Sequence, residues 1–352
     1  MDYRKQIDEI VDLILKQDAS DLHLSAGRNP IIRVSGSLIP LLKRAIITPQ
    51  DMQGFIDVFL TKENKEILAK EKDADFSYNL THARFRGHVY YSQGSPAIAL
   101  RLIPRVIRSL SELNLPPILE TFTRKSQGFF LVVGPIGQGK TTTLATLVEM
   151  INQSRTEHIL TIEDPIEYMF ESKKSIIDQR EVRTDTPDFA EALTSMFRED
   201  IDVCMVGEMR DTTTMATAVT AAETGHLVLS TLHTNNAAQT IDRIIDSFPG
   251  TQQDQIRVQL ASSLTGIFSQ RLIPRISGGL IPAYELLINN AAVSNLIRER
   301  RTHEINTVIE TSSQLGMIDM NRCLSELVRA GEITVENAYT YSTNPKSLER
   351  LL

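Results

Sequence analysis

Residues 132–147 read VVGPIGQGKTTTLATL, and no other stretch limits so sharply what the chain can become. Gly134, four intervening residues and then Gly139-Lys140-Thr141 satisfy the spacing G-x-x-x-x-G-K-[ST]. The pattern has a mechanical meaning only between a strand and a helix, and both neighbours qualify. GFFLVVG before it is an apolar run of strand length, and TTTLATLVEMIN after it reads as a helix. Glycines there let backbone N–H groups turn inward around phosphate oxygens, and the helix N-terminus adds partial positive charge at the same place. The expected nucleotide-binding residues are Gly134, Pro135, Ile136, Gly137, Gln138, Gly139, Lys140, Thr141 and Thr142. Lys140 is expected on the β- and γ-phosphates and the Thr141 hydroxyl on Mg²⁺, so ATP and Mg²⁺ are the expected cofactors.

A chain of 352 residues suggests two or three domains. Residues 1–104 read as an α+β module with helical stretches over 4–16, 49–60 and 62–71, a hairpin turning at Ser35-Gly36, and a meander of three alternating runs. The turns of that meander hold His82, Gly94 and Pro96. Residues 105–117, proline-bounded, read as a linker. From 118 to 291 the runs FFLVV, HILTI, VCMVG and HLVLST alternate with helical stretches, which predicts an α/β core with a parallel sheet covered on both faces. Residues 292–352 read as an appended helical region. Net charge is −7, which disfavours nucleic acid as a partner. The two cysteines, Cys204 and Cys323, form no C-x-x-C, and together with the charged N-terminus and the lack of a long apolar run they point to a reducing cytoplasm.

All four strand-like runs end in candidate chemistry, where ligands of open α/β sheets gather. HILTI runs into Glu163-Asp164, and Glu163 is a candidate to orient or deprotonate the attacking water. VCMVG runs into Glu208, with Gly207 where a Walker B strand often has aspartate, so Glu208 is the expected second ligand of Mg²⁺. Arg210 and Asp211 read equally well as a surface ion pair. His233 follows the fourth run, at the position of a γ-phosphate sensor, whereas His226 before it reads as structural or functional alike. In the first module Arg84 and Arg86 share one strand face and Arg101 lies on the next run. They are either a solvated sheet face or arginine fingers for a nucleotide, including one held by a neighbouring subunit.

Taken in order, GPIGQGKTTT, ILTIEDPIEY, VGEMRD and GHLVLSTLHTNNA resemble the secretion/pilus ATPase superfamily, and SDLHLSAGRNPIIRVSGSLIPL and RTHEINTVIETSSQLGM extend the similarity to both ends. Within it the chain is most similar to the retraction ATPases of type IV pili. The resemblance implies a PAS-like N-terminal domain, a RecA-like P-loop ATPase domain, a helical C-terminal extension and a homohexameric ring. It implies an acidic box of Glu163, Asp164 and Glu167, a Walker B residue at Glu208, a histidine box of His226 and His233, and N-domain arginines, here Arg84, Arg86 and Arg101, reaching toward nucleotide. It further implies an inner-membrane platform protein and a pilin fibre as mechanical partners, an accessory retraction ATPase as a companion, and a cytoplasmic location at the membrane's inner face. Twitching motility is the expected output. The chain departs from the family in having Ser294 within AVSNLIRE, where arginine is usual in a stretch linked to retraction, and Ile201 where proline is usual. An accessory or assembly ATPase, a nucleotide-binding regulatory scaffold and a DNA translocase are the rival readings, the last opposed by the acidic charge.

Overall fold

A computed structural model of the chain describes residues 2–34, 36–80, 83–104 and 106–352. Ser35 and His82, expected in turns, lie outside the described residues. The chain divides into two compact units, residues 1–105 and 106–352.

The first unit holds α1 (Tyr3–Lys16), α2 (Pro49–Phe59) and α3 (Lys62–Glu71) and a six-stranded antiparallel sheet. Its strands are β1 (Ala19–Ser25), β2 (Ile31–Val34), β3 (Ser37–Pro40), β4 (Asp73–Asn79), β5 (Arg84–Ser92) and β6 (Ser95–Leu102), in the order β3-β2-β1-β6-β5-β4. Pro96, expected in a turn, is inside β6; the turn is made by Gln93 and Gly94, both at positive φ. α1 buries Ile7, Ile10, Val11 and Ile14, the three- and four-residue spacing of one helix face. α2 starts where Thr48 and Asp51 cap each other and Pro49 occupies the first turn. Along β5, Phe85 and Val89 turn into the core while Arg86 is exposed, the period of two that a half-covered sheet requires.

The second unit is built on seven strands: β7 (Gly128–Val133), β8 (His158–Glu163), β9 (Ile176–Glu181), β10 (Val203–Val206), β11 (Leu227–Leu232), β12 (Leu264–Pro274) and β13 (Leu280–Ile288). The order is β13-β12-β7-β11-β10-β8-β9, parallel except for the antiparallel edge strand β13. Four of these strands are legible as apolar runs; β9, β12 and β13 are not among them. Helices α4 (Glu120–Thr123), α5 (Lys140–Ser154), α6 (Phe189–Met196), α7 (Thr212–Glu223), α8 (Ala237–Asp246) and α9 (Gly250–Ser263) lie among the strands. The C-terminal part adds α10 (Ala291–Arg298), α11 (Ile305–Thr311), α12 (Met320–Arg329), α13 (Val335–Tyr341) and α14 (Pro345–Glu349).

The continuous apolar runs have a simple cause. Every residue of β7 is buried, because Phe129, Leu131 and Val133 enter one core with α6 to α10, while Phe130 and Val132 enter a second core with α5. β8, β10 and β11 split their side chains between the same two cores. Residues 106–117, read above as a linker, pack with this unit: Leu110 and Leu115 are in the second core, and the Arg108 carbonyl accepts from Thr146 Oγ1 at 2.9 Å. The architecture is the α/β one expected, an α+β N-terminal part, then a RecA-like core and a helical C-terminal part. Among the described residues no helix is long and apolar enough to cross a membrane.

Candidate functional site

Because β7, β8, β10 and β11 are parallel neighbours, their carboxyl ends share one edge of the sheet. The loop from Gly134 to Gly139 leaves β7 there and enters α5, with Gly134, Gly137 and Gly139 at φ +147°, +78° and +76°. A side chain on Gly134 would sit 2.4 Å from the Gln270 carbonyl oxygen, so glycine is required by space as well as by φ. Gln270, on β12, braces the loop: its Nε2 donates to the Gln138 carbonyl at 2.8 Å and its Oε1 accepts from Thr143 Oγ1 at 2.7 Å. The Gln138 side chain in turn accepts from the Leu272 backbone N–H at 2.6 Å, which leaves backbone groups as its contribution to a phosphate. Ile136 at the loop's tip is 83% exposed.

Lys140 is buried, and its Nζ donates to the Gly134 and Pro135 carbonyls, each at 2.8 Å, and lies 3.3 Å from His233 Nδ1. Burial lowers its pKa to about 8, against the opposing pull of the Glu208 carboxylate. His233 Nε2 lies 3.4 Å from Glu208 Oε2, and Arg210 pairs with the other oxygen of Glu208. Lys140, His233, Glu208 and Arg210 thus form one chain of contacts across three strand ends. The Arg210–Asp211 ion pair, one of the two readings of these residues, is not formed. Asp211 instead caps α7, accepting from the Thr214 N–H at 2.9 Å and its hydroxyl at 2.6 Å. Gly207 has a local reason: a side chain there would approach the Ile162 carbonyl oxygen at 3.3 Å and Glu163 Cα at 3.5 Å.

Glu163 ends β8 and is 3% exposed. Its Oε1 accepts from Thr161 Oγ1 at 2.9 Å and Gln179 Nε2 at 3.3 Å, and its Oε2 from the Glu167 N–H at 3.1 Å. Burial raises its pKa to about 7 in spite of these donors, and the Glu167 charge acts in the same direction. Asp164, beside it, lies 3.6 Å from Arg183. Thr142 Oγ1 sits 2.9 Å from the Tyr168 hydroxyl, which joins the nucleotide loop's helix to the segment after Glu163.

His226 falls at the opposite edge of the sheet, before β11, where its Nδ1 lies 3.1 Å from the Ala221 carbonyl oxygen and its ring meets Phe197 edge-on. The six residues of β11 separate it from His233, a span of roughly 23 Å in extended chain. Of the two readings left open for His226, the structural one therefore fits its place in its own chain. Gln270, Gln179 and Tyr168 were missed by sequence reasoning; each acts across a strand pairing or a loop, and no local pattern marks them.

In the first unit Arg86 and Arg101 stand opposite each other on β5 and β6, and Asp21 stands opposite Arg101 on β1. Arg101 Nε donates to Asp21 Oδ1 at 2.9 Å while most of its side chain stays exposed. Arg84 is two residues from Arg86 on the same strand face. Ser294, on α10, is nearly buried and donates to the Ala261 carbonyl at 2.8 Å, so an arginine there would have to bury its charge or displace α9.

The oxygens of Thr141 and Glu208 are hard ligands suited to Mg²⁺. Among the described residues no group of three or more acidic, histidine or cysteine side chains could hold a metal by itself. A Mg²⁺ ion here would take its remaining ligands from phosphates and water, the usual arrangement for that ion.

The family model described as "Type II/IV secretion system protein" matches residues 3–306. The type IV pilus retraction ATPase PilT of Pseudomonas aeruginosa is 41% identical over 342 residues, 97% of this chain and 99% of that protein. A twitching motility protein of Neisseria gonorrhoeae is 42% identical over 321 residues, 91% of this chain and 86% of that protein. The crystal structure of the pilus retraction motor PilT with bound ADP superposes with a TM-score of 0.91 at 45% identity, covering 97% of this chain and 98% of that one.

Proposed function

The chain belongs to the type II/IV secretion system family, as an ATPase of its pilus-retraction type, and we propose that it works as a Mg²⁺-dependent homohexameric motor acting on a type IV pilus. The observation that carries this reading is the convergence of Lys140, His233, Glu208 and Glu163 on the ends of adjacent parallel strands. Lys140 exchanges loop carbonyls for the β- and γ-phosphates. Thr141 and Glu208 would hold Mg²⁺, which would supply charge neutralisation at the phosphates. Glu163 takes the proton of the attacking water, and His233, already in contact with both Lys140 and Glu208, reports on the γ-phosphate. A cleft of about 380 Å³ bordered by Gly139, Thr142, Arg108, Leu113 and Leu280 adjoins the loop and suits the nucleoside. Arg84, Arg86 and Arg101 serve a neighbouring subunit's nucleotide, which makes the ring the active species. Its location is the cytoplasm beside the inner membrane, its load a platform protein carrying pilin, and an accessory retraction ATPase is its companion.

The test is complementation between subunits. Lys140→Ala should lower turnover at least ~10²-fold with the fold intact, since Lys140 serves phosphate charge. Arg101→Ala should also be inactive, and mixing the two purified variants should restore part of the turnover. Activity that is independent of protein concentration, with no rescue on mixing, would refute the shared site.

A further inference from the structure

We propose that Gln179 is a positioning residue for hydrolysis, one that aims the Glu163 carboxylate and holds it ready to accept a proton. The inference rests on the reading of Glu163 as the residue that activates water.

Gln179 lies on the edge strand β9, where it pairs in register with Thr161 of β8; Glu163 is two residues farther along, on the same side as Thr161. Its carboxamide makes three contacts. Oε1 accepts from the Phe170 backbone N–H at 2.9 Å, while Nε2 donates to the Tyr168 carbonyl at 2.8 Å and to Glu163 Oε1 at 3.3 Å. A backbone N–H can only donate and a backbone carbonyl can only accept. The amide is therefore fixed with its NH₂ toward Glu163, and the opposite assignment would set donor against donor at Phe170 and acceptor against acceptor at Tyr168.

The consequence is directional. A donor held against a buried carboxylate favours the charged form, which is the form that accepts a proton from water. Thr161 Oγ1 and the Glu167 N–H act in the same sense, but neither also holds the backbone of the following segment at Tyr168 and Phe170. Gln179 does, and that segment carries Tyr168, whose hydroxyl touches Thr142 on the nucleotide loop's helix. The charge that bears on Glu163 is that of Glu167 on its own loop, which opposes ionisation, so the neutral donors are what counter burial; Glu181 stands opposite Glu163 in the β8–β9 register.

Gln179→Met keeps length and removes the donor; Gln179→Glu keeps shape and adds an acceptor. In the full-length protein, kcat of the wild type should rise with pH along an acid limb. Gln179→Met should move that limb up by about half to one pH unit, as expected for one lost hydrogen bond to the charged form. At pH 7 kcat should fall several-fold and largely recover by pH 9, with KM for ATP within about two-fold. Gln179→Glu should move the limb farther, because two carboxyl groups then compete for one proton. Variants that lose the same factor of kcat at every pH, with the limb unmoved, would overturn the proposal and leave Gln179 a structural brace. If Gln179→Met does not fold, the limb of Gln179→Glu decides alone. Glu163→Gln separates the two ideas: an inactive Glu163→Gln with an unmoved limb in both Gln179 variants sinks only the positioning role, whereas full turnover by Glu163→Gln removes the premise and the proposal together.

Discussion

Glu163 and Glu208 follow neighbouring parallel strands of one sheet, yet the fold gives their carboxylates opposite surroundings. Glu163 is enclosed and is met only by neutral donors, two side chains and a backbone N–H. Glu208 is more open and meets charged or chargeable partners, Arg210 and His233, with Lys140 one contact farther on. Enclosure without a counter-charge pushes a carboxylate toward holding its proton, which suits a group that must exchange one. A carboxylate among cations suits a group that holds a metal ion or steadies charge. Two glutamates that look alike at the ends of strands thus have environments that suit the two roles proposed for them, proton acceptor for Glu163 and charge holder for Glu208.

The largest effect that could break this contrast is the loss of the proton acceptor. Glu163→Gln should lower kcat by about 10²–10⁴-fold, the range for a positioned base, while ATP binding persists. Steady-state turnover together with binding of a labelled nucleotide checks both halves. If turnover is unchanged, Glu208 or Glu167 takes the role and the contrast fails.

A smaller and different effect is expected at the other strand end. Glu208→Gln keeps the shape but discards the charge, so the Mg²⁺ concentration giving half-maximal activity should rise by about ten-fold, roughly one lost charge-assisted contact. Titrating Mg²⁺ at saturating ATP measures this directly. An unchanged Mg²⁺ requirement with lowered kcat would move Glu208 from metal ligand to electrostatic partner of His233 and Lys140.

The same contrast explains what could be read from the chain in advance. The nucleotide loop, the strand-terminal carboxylates and His233 were legible because each is fixed by its immediate neighbours: an apolar strand, a residue that ends it, a helix that follows. Gln270 was not, because it meets Thr143 across 127 residues through the β7–β12 pairing. Gln179 was not, because IIDQRE follows two isoleucines with four polar residues at a sheet edge and lacks the continuous apolar run of the interior strands. His226 was ambiguous because the motif presents both histidines at the ends of one strand, and only the parallel direction of the sheet says which end faces the loop. Asp211 was ambiguous for a related reason: Arg210 beside it suggested a local pair, whereas Asp211 caps a helix and Arg210 pairs with Glu208.

The smallest expected effect concerns stability, and it tests the enclosure of Glu163 without reference to catalysis. The folded state holds this proton up to about pH 7, against 4.5 for an unperturbed glutamate. Between those values the folded chain binds more protons than the unfolded one, so this group's stabilising contribution is complete below about 4.5 and is lost as pH rises through about 7. Glu163→Gln deletes that dependence. Its NH₂ or its oxygen must face both the Gln179 and Thr161 donors on one side and the Glu167 N–H on the other, so the variant carries a fixed cost from one mismatched donor. The readout is therefore the slope and not the absolute value. Relative to wild type, the variant should gain on the order of 2–3 kcal/mol between pH 5 and pH 8, seen as a rising difference in thermal midpoint at fixed protein concentration. Glu285, equally buried and also raised to about 7, remains in both proteins and cancels from the comparison. A difference that stays flat across this range would mean that Glu163 ionises in the folded chain as it does in the unfolded one, and the division of labour between the two strand ends would lose its physical basis.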